Sequence, residues 1–96
     1  MIGASTAVAA AKNTGYGTAL ADIQIAQSEA AHGRYDMALD QTQRAEIDLE
    51  QWLIPGDKSA KEAFDLLRKA DYDLQVSRYQ NVTTELQQVE DMLNRK

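Results

Sequence analysis

Apolar residues recur at three- and four-residue steps through most of this chain, and no stretch alternates with period two over a useful length. The pattern predicts helices and no strand. Leu20, Ile23, Ala26 or Gln27, and Ala30 form a first stripe, over about Thr18 to Ala31, with Thr18 as the cap and Gly33 just past the end. Tyr35, Ala38, Leu39, Thr42, Ala45, Leu49, Trp52 and Leu53 form a second, over about Arg34 to Leu53. Its opposite face carries Asp36, Asp40, Gln43, Arg44 and Glu50, with Asp40 and Arg44 one turn apart. Ile54-Pro55-Gly56-Asp57 stops that helix, because proline donates no backbone hydrogen bond and pushes Ile54 out of helical geometry.

The third stripe is Ala60, Ala63, Phe64, Leu67, Ala70 and Leu74, beginning near Asp57–Ser59 with Ser59-x-x-Glu62 as a capping box. Favourable one-turn pairs line its surface: Lys58–Glu62, Lys61–Asp65 and Asp65–Lys69. A second capping box, Ser77-x-x-Gln80, precedes the fourth stripe of Tyr79, Val82, Leu86, Val89 and Leu93. Its 3-4-3-4 spacing is the narrow seam of a bundle helix.

Residues 33–49 and 77–93 align at a spacing of 44, with five of 17 positions identical: Arg34/Arg78, Tyr35/Tyr79, Gln43/Gln87, Glu46/Glu90 and Leu49/Leu93. Upstream, Ala26 matches Ala70. A repeat of this length is one supersecondary unit used twice, here a pair of helices. Short connections make neighbouring helices antiparallel, and each hairpin has an apolar seam it cannot bury alone. The expected fold is all-α: two hairpins, 18–53 and 57–96, facing each other in an up-down four-helix bundle, with a stack of hairpins as the other arrangement. An Ala-rich lead, residues 1–17, precedes the domain at 18–96. A Ser5-capped run to Lys12 has helical composition, and Gly15-Tyr16-Gly17 breaks what comes before it.

The chain is small, so its core is modest and a partner subunit would help it. A net charge of −5 argues against nucleic acid and against an anionic bilayer. No run approaches the ~20 apolar residues of a membrane span. With no Cys there is no disulfide, thiolate nucleophile or cysteine zinc site. The small apolar N-terminus lacks a basic region and a Leu-rich core, so it is not a complete signal peptide. It reads either as the remainder of one that a start Met has replaced or as an ordinary terminus.

Ala26, Gly33, Tyr35, Ala38 and Ala45 resemble part of a tetratricopeptide unit over roughly residues 20–49. The departures are a spacing of 44 rather than 34, Glu29 where an aromatic is expected, and loss of both alanines of the second helix in the second copy. Ala31-His32-Gly33, between the Ala-rich first helix and the second stripe, resembles the small alanine-rich bacterial helical proteins: the YfdX family and the periplasmic four-helix small metal-binding type. That resemblance, over about residues 18–94, implies a bundle and a periplasmic or extracellular location. It implies no metal function, since that type depends on many histidines and this chain has one.

An antiparallel bundle brings both hairpin turns to one end, gathering His32, Arg34, Tyr35, Arg78 and Tyr79 with two helix N-termini. Those five are the candidate ligand-binding residues, for a small anion or an acidic partner. The plainer reading has each Tyr closing the core while each Arg stays in water. His32 with Asp36 is too few ligands for a metal, and Glu62, Asp65, Asp71 and Asp73 match no Ca²⁺ loop. No nucleophile–base pair or phosphate-cradling loop is present, so no catalytic residue, metal or cofactor is assigned and no enzyme is expected. Trp52 and Phe64 are expected to close the opposite end. Met37, Ile47, Leu66, Tyr72 and Met92 fall off the stripes. Grouped, such residues make a protein-contact surface. Ala7, Ala9 and Tyr16 of the lead join Met37, Ile47, Tyr72 and Met92 as candidate protein-contact residues. The function expected is self-assembly, as closed oligomer or filament. The alternative is a monomeric periplasmic module binding a small anion or metal ion at the Arg-Tyr end.

Overall fold

The computed structural model describes residues 16–94, which form four helices packed as a bundle. They are α1 (Gly17–Ala31), α2 (Tyr35–Trp52), α3 (Lys58–Gln75) and α4 (Val82–Asn94), the last entered through a single 3-10 turn at Tyr79–Asn81. Each helix packs on its neighbours in sequence, and α4 closes on α1. Gln24 of α1 reaches Glu90 while Gln27 reaches back to the Leu86 carbonyl, so α1 and α4 run in opposite directions. Ala7 and Ala9 lie outside the described residues, as does the expected Ser5–Lys12 helix.

The four stripes meet in one core. Leu20, Ile23, Ala26, Ala38, Ala45, Leu49, Ala60, Ala63, Leu67, Ala70, Val82, Leu86, Val89 and Leu93 are all fully buried. Small side chains dominate α1 to α3, and Leu and Val dominate α4. Alanine lets helices approach closely, and the larger side chains opposite fill the space.

Three of the four expected caps are corrected. Tyr16, not Thr18, occupies the start of α1, with no side-chain cap. Asp57, not Ser59, caps α3: its Oδ1 accepts from the Ala60 N–H at 3.1 Å. The Pro55-Gly56 turn leaves Asp57 in extended geometry two residues earlier than the Ser box requires, and the nearer acceptor takes the free N–H groups. Ser77 makes no box with Gln80. It stands in the left-handed region at φ 63°, as Gly33 does at φ 76°. After α1, Gly33 N–H bonds the Ala30 carbonyl and Arg34 N–H the Glu29 carbonyl; after α3, Ser77 N–H bonds Leu74 and Arg78 N–H bonds Asp73. Both turns are Schellman closures, which need one left-handed residue.

The end at the 53–57 turn departs most from expectation. Trp52 does not close the core; it is half exposed, and Phe64 only packs against the core's edge. Tyr16 fills that place. It is fully buried, its hydroxyl donates to Asp57 Oδ2 at 2.9 Å, and it accepts from the Ile54 N–H at 3.4 Å. Tyr16, expected among the protein-contact residues, is thus placed in the core. Met92 is half-buried and packs against the core, as does Leu66. Met37, Ile47 and Tyr72 are exposed as expected.

Candidate functional site

The two hairpin turns lie at one end, where the Tyr35 and Tyr79 rings stack with centroids 3.7 Å apart and planes 3° from parallel. Each ring begins the element after its turn. Tyr79 also donates its hydroxyl to Ser77 Oγ at 3.2 Å. Beside the stack is a cleft of about 420 Å³ lined by Gly33, Arg34, Tyr35, Asp36, Met37 and Tyr79. His32 and Arg78 do not line it. His32 turns back, its Nδ1–H donating to the Ser28 carbonyl at 2.7 Å.

The arginines are already engaged. Arg34 pairs with Glu29, and the positive charge of Arg78 helps hold Asp73 ionised. An anion at this end would compete with those carboxylates. The geometry brings Arg34, Tyr35 and Tyr79 together, and leaves His32 and Arg78 outside the cleft.

A second feature lies along the α2–α3 face. Gln43, Glu46, Ile47, Glu50, Phe64, Arg68 and Asp71 line a cleft of about 420 Å³. Glu50, Leu53, Ile54, Pro55, Gly56, Asp57, Lys58 and Lys61 line another, of about 470 Å³. Glu50 lines both, and the apolar residues of the two linings are Ile47 and Phe64 in the first and Leu53, Ile54 and Pro55 in the second. Ile47 is 65 % exposed, the most open large apolar side chain of the molecule's described part. Sequence reasoning found Ile47 because it falls off the stripe. It missed Ile54 and Phe64, because a turn and a helix edge look like core closure when only spacing is available.

Carboxyl groups meet in pairs across three helix contacts. Burial, then a hydrogen bond with Asp48, pushes Asp22 up to about 7, against the opposing charge of Arg44. Burial, then a bond with Asp71, pushes Glu46 up to about 8, opposed by Arg68 and reinforced by Glu50. Burial also works against Asp71, yet bonds from Glu46, Gln75 and Gln43 hold it below the usual carboxyl range. Asp73 and Glu85 are both buried and share Lys69 Nζ at 3.3 and 3.0 Å. Burial and the Asp73 neighbour raise Glu85; Asp73 stays low despite its own burial, held by Glu85 and Lys69. Spacing within one chain segment reveals none of these pairs, because they depend on how each helix is rotated against the next.

Among the described residues no three His, Asp or Glu gather to hold a metal ion, and no helix is long and apolar enough to cross a membrane. No protein-family model matches the chain, and no curated protein or solved structure matches it significantly.

Proposed function

We propose that this chain is a non-enzymatic interaction protein that works by contact with other protein chains, first of all copies of itself. The observation that carries this is the pair of clefts on α2 and α3, with Ile47, Ile54 and Pro55 exposed and Phe64 half-buried beside charged side chains. Exposed apolar surface that is continuous and rimmed by polar groups is what protein contacts use. Trp52, at 53 % exposure, and Met37, Tyr72 and Val76 add to the open apolar area. In this reading the two hairpins are two copies of one unit. The matching Schellman turns, the stacked Tyr35 and Tyr79, and core positions repeated 44 residues apart support it.

The lead is the second element of the proposal, as an arm between subunits. Because Tyr16 belongs to the core and Gly17 to α1, the arm is residues 1–15. Light scattering after size exclusion, over a concentration series, tests the whole reading. A discrete multimer or growing polymer is expected. Ile47→Glu should shift it toward monomer without loss of helix, and deletion of residues 2–15 should do the same. A monomer at every concentration would overturn self-assembly. It would favour the second reading, a monomeric periplasmic module taking a small anion or metal ion at the cleft beside Arg34, Tyr35 and Tyr79. That reading predicts a higher Tm with millimolar phosphate, sulfate or divalent metal, by mass action.

A further inference from the structure

We propose that the lead of one copy seats in the cleft at the 53–57 turn of a second copy, and that the second copy's lead returns the contact, closing a dimer by exchange of arms. This rests on the reading of the chain as self-associating, and adds where the arm goes.

The place where the lead joins the body carries the argument. Tyr16, the first residue after the lead, is fixed to the turn: its hydroxyl donates to Asp57 Oδ2 and accepts from the Ile54 N–H. Ile54 and Asp57 also line the cleft. The arm is therefore rooted beside the cleft, at the end opposite the stacked tyrosines. That placement decides the symmetry. When two copies meet by this end, each root faces the other's cleft, and one contact is made twice about a twofold axis. A head-to-tail filament needs arm and acceptor on different faces, whereas exchange at a shared end closes.

What the arm carries suits what the cleft offers. Leu53, Ile54 and Pro55 are the apolar part of a cleft of about 470 Å³, and Ile54 and Pro55 are exposed. The lead supplies Met1, Ile2, Val8 and five alanines, and no acid. Small side chains let its backbone come close to the turn. α2 ends at this cleft with Glu50 exposed and no basic residue in its last turn. The carbonyl end of a helix favours a cation, and Lys12 is the only charged side chain of the lead.

The length fits as well. A segment of 15 residues spans about 50 Å when extended and about 22 Å as a helix, against about 27 Å for the 18 residues of α2. Either length crosses between two abutting ends. The arm and the residues that line the cleft together bring each copy to about the 20–30 residues a side of a stable interface.

Light scattering after size exclusion, on full chains over a concentration series, tests the exchange. Ile54→Glu blocks the cleft, and Ile2→Glu with Val8→Glu blocks the arm. Ile54 is exposed, so helix content by circular dichroism should match wild type; should Ile54→Glu lose helix, Ile54→Ser takes its place. Wild type should form a discrete dimer, and each variant alone should raise the dissociation constant at least about tenfold. An equimolar mixture of the two variants should dimerise where neither does alone, because one intact arm then meets one intact cleft. A mixture as monomeric as its components would place each arm on its own cleft and overturn the exchange. A wild-type polymer that grows without limit would overturn the closed pairing. Assembly lost in Ile47→Glu but unchanged in Ile54→Glu would sink this site and leave self-association standing. A wild type that is monomeric throughout would remove both.

Discussion

Tyrosine closes both ends of the bundle, by two different physical means. At the hairpin-turn end, Tyr35 and Tyr79 lie face to face, half-buried, and the Tyr79 hydroxyl bonds to Ser77 at the surface. At the other end one ring, Tyr16, is fully buried and hydrogen-bonded to the 53–57 turn through its hydroxyl. The first closure is divided between two residues and rests on ring contact, worth about 0.5–1.5 kcal/mol beyond burial. The second concentrates ring burial, a turn and a helix cap in one side chain, since Asp57 both receives Tyr16 and caps α3. Shared closures yield gradually to substitution. Concentrated ones fail at a single position.

The sharpest way to break this contrast is Tyr16→Ala, which should cost about 3–5 kcal/mol by the measure of large aromatic deletions. Urea unfolding would show it; a loss below about 1 kcal/mol would mean that the ring is not the plug. Asp57→Ala comes next, at about 2 kcal/mol, combining a lost cap with a lost tyrosine partner. Tyr79→Leu should cost only about 1 kcal/mol, because Tyr35 still covers the end. A loss as large as that of Tyr16→Ala would erase the difference between the ends. Smallest is Ser77→Gly, a gain of roughly 0.5 kcal/mol, as relief of left-handed strain outweighs the added freedom of glycine in the unfolded chain. Alkaline titration of the phenols gives an independent view. Burial and the Asp57 carboxylate raise Tyr16 above the ordinary value of 10.0, so its phenol should ionise only above that value, and the stability it confers should be lost as pH climbs past 10.

The two ends also differ in how far they could be read beforehand. Tyr35 and Tyr79 announce themselves through the repeat, and Gly33 marks its turn. Tyr16 has no repeated partner and sits between two glycines, where local rules predict a break. It enters the core because the cap position of α1 falls two residues before the threonine that sequence rules favour. Trp52 illustrates the converse. It comes after Leu49 at stripe spacing, yet α2 ends there and Tyr16 has filled the space, so the indole turns outward. The helical stripes were legible because burial repeats every turn. The clefts and the acid pairs were not, because they arise between helices.

That outward indole is the chain's single tryptophan. In most small domains such a residue reports folding, because its fluorescence shifts when the core opens. Here its emission should already resemble that of indole in water while the protein is folded, and melting should change it little. A blue shift would instead signal that another surface had come to lie over the end of α2. The molecule thus carries an optical reporter of contact that is nearly blind to its own unfolding.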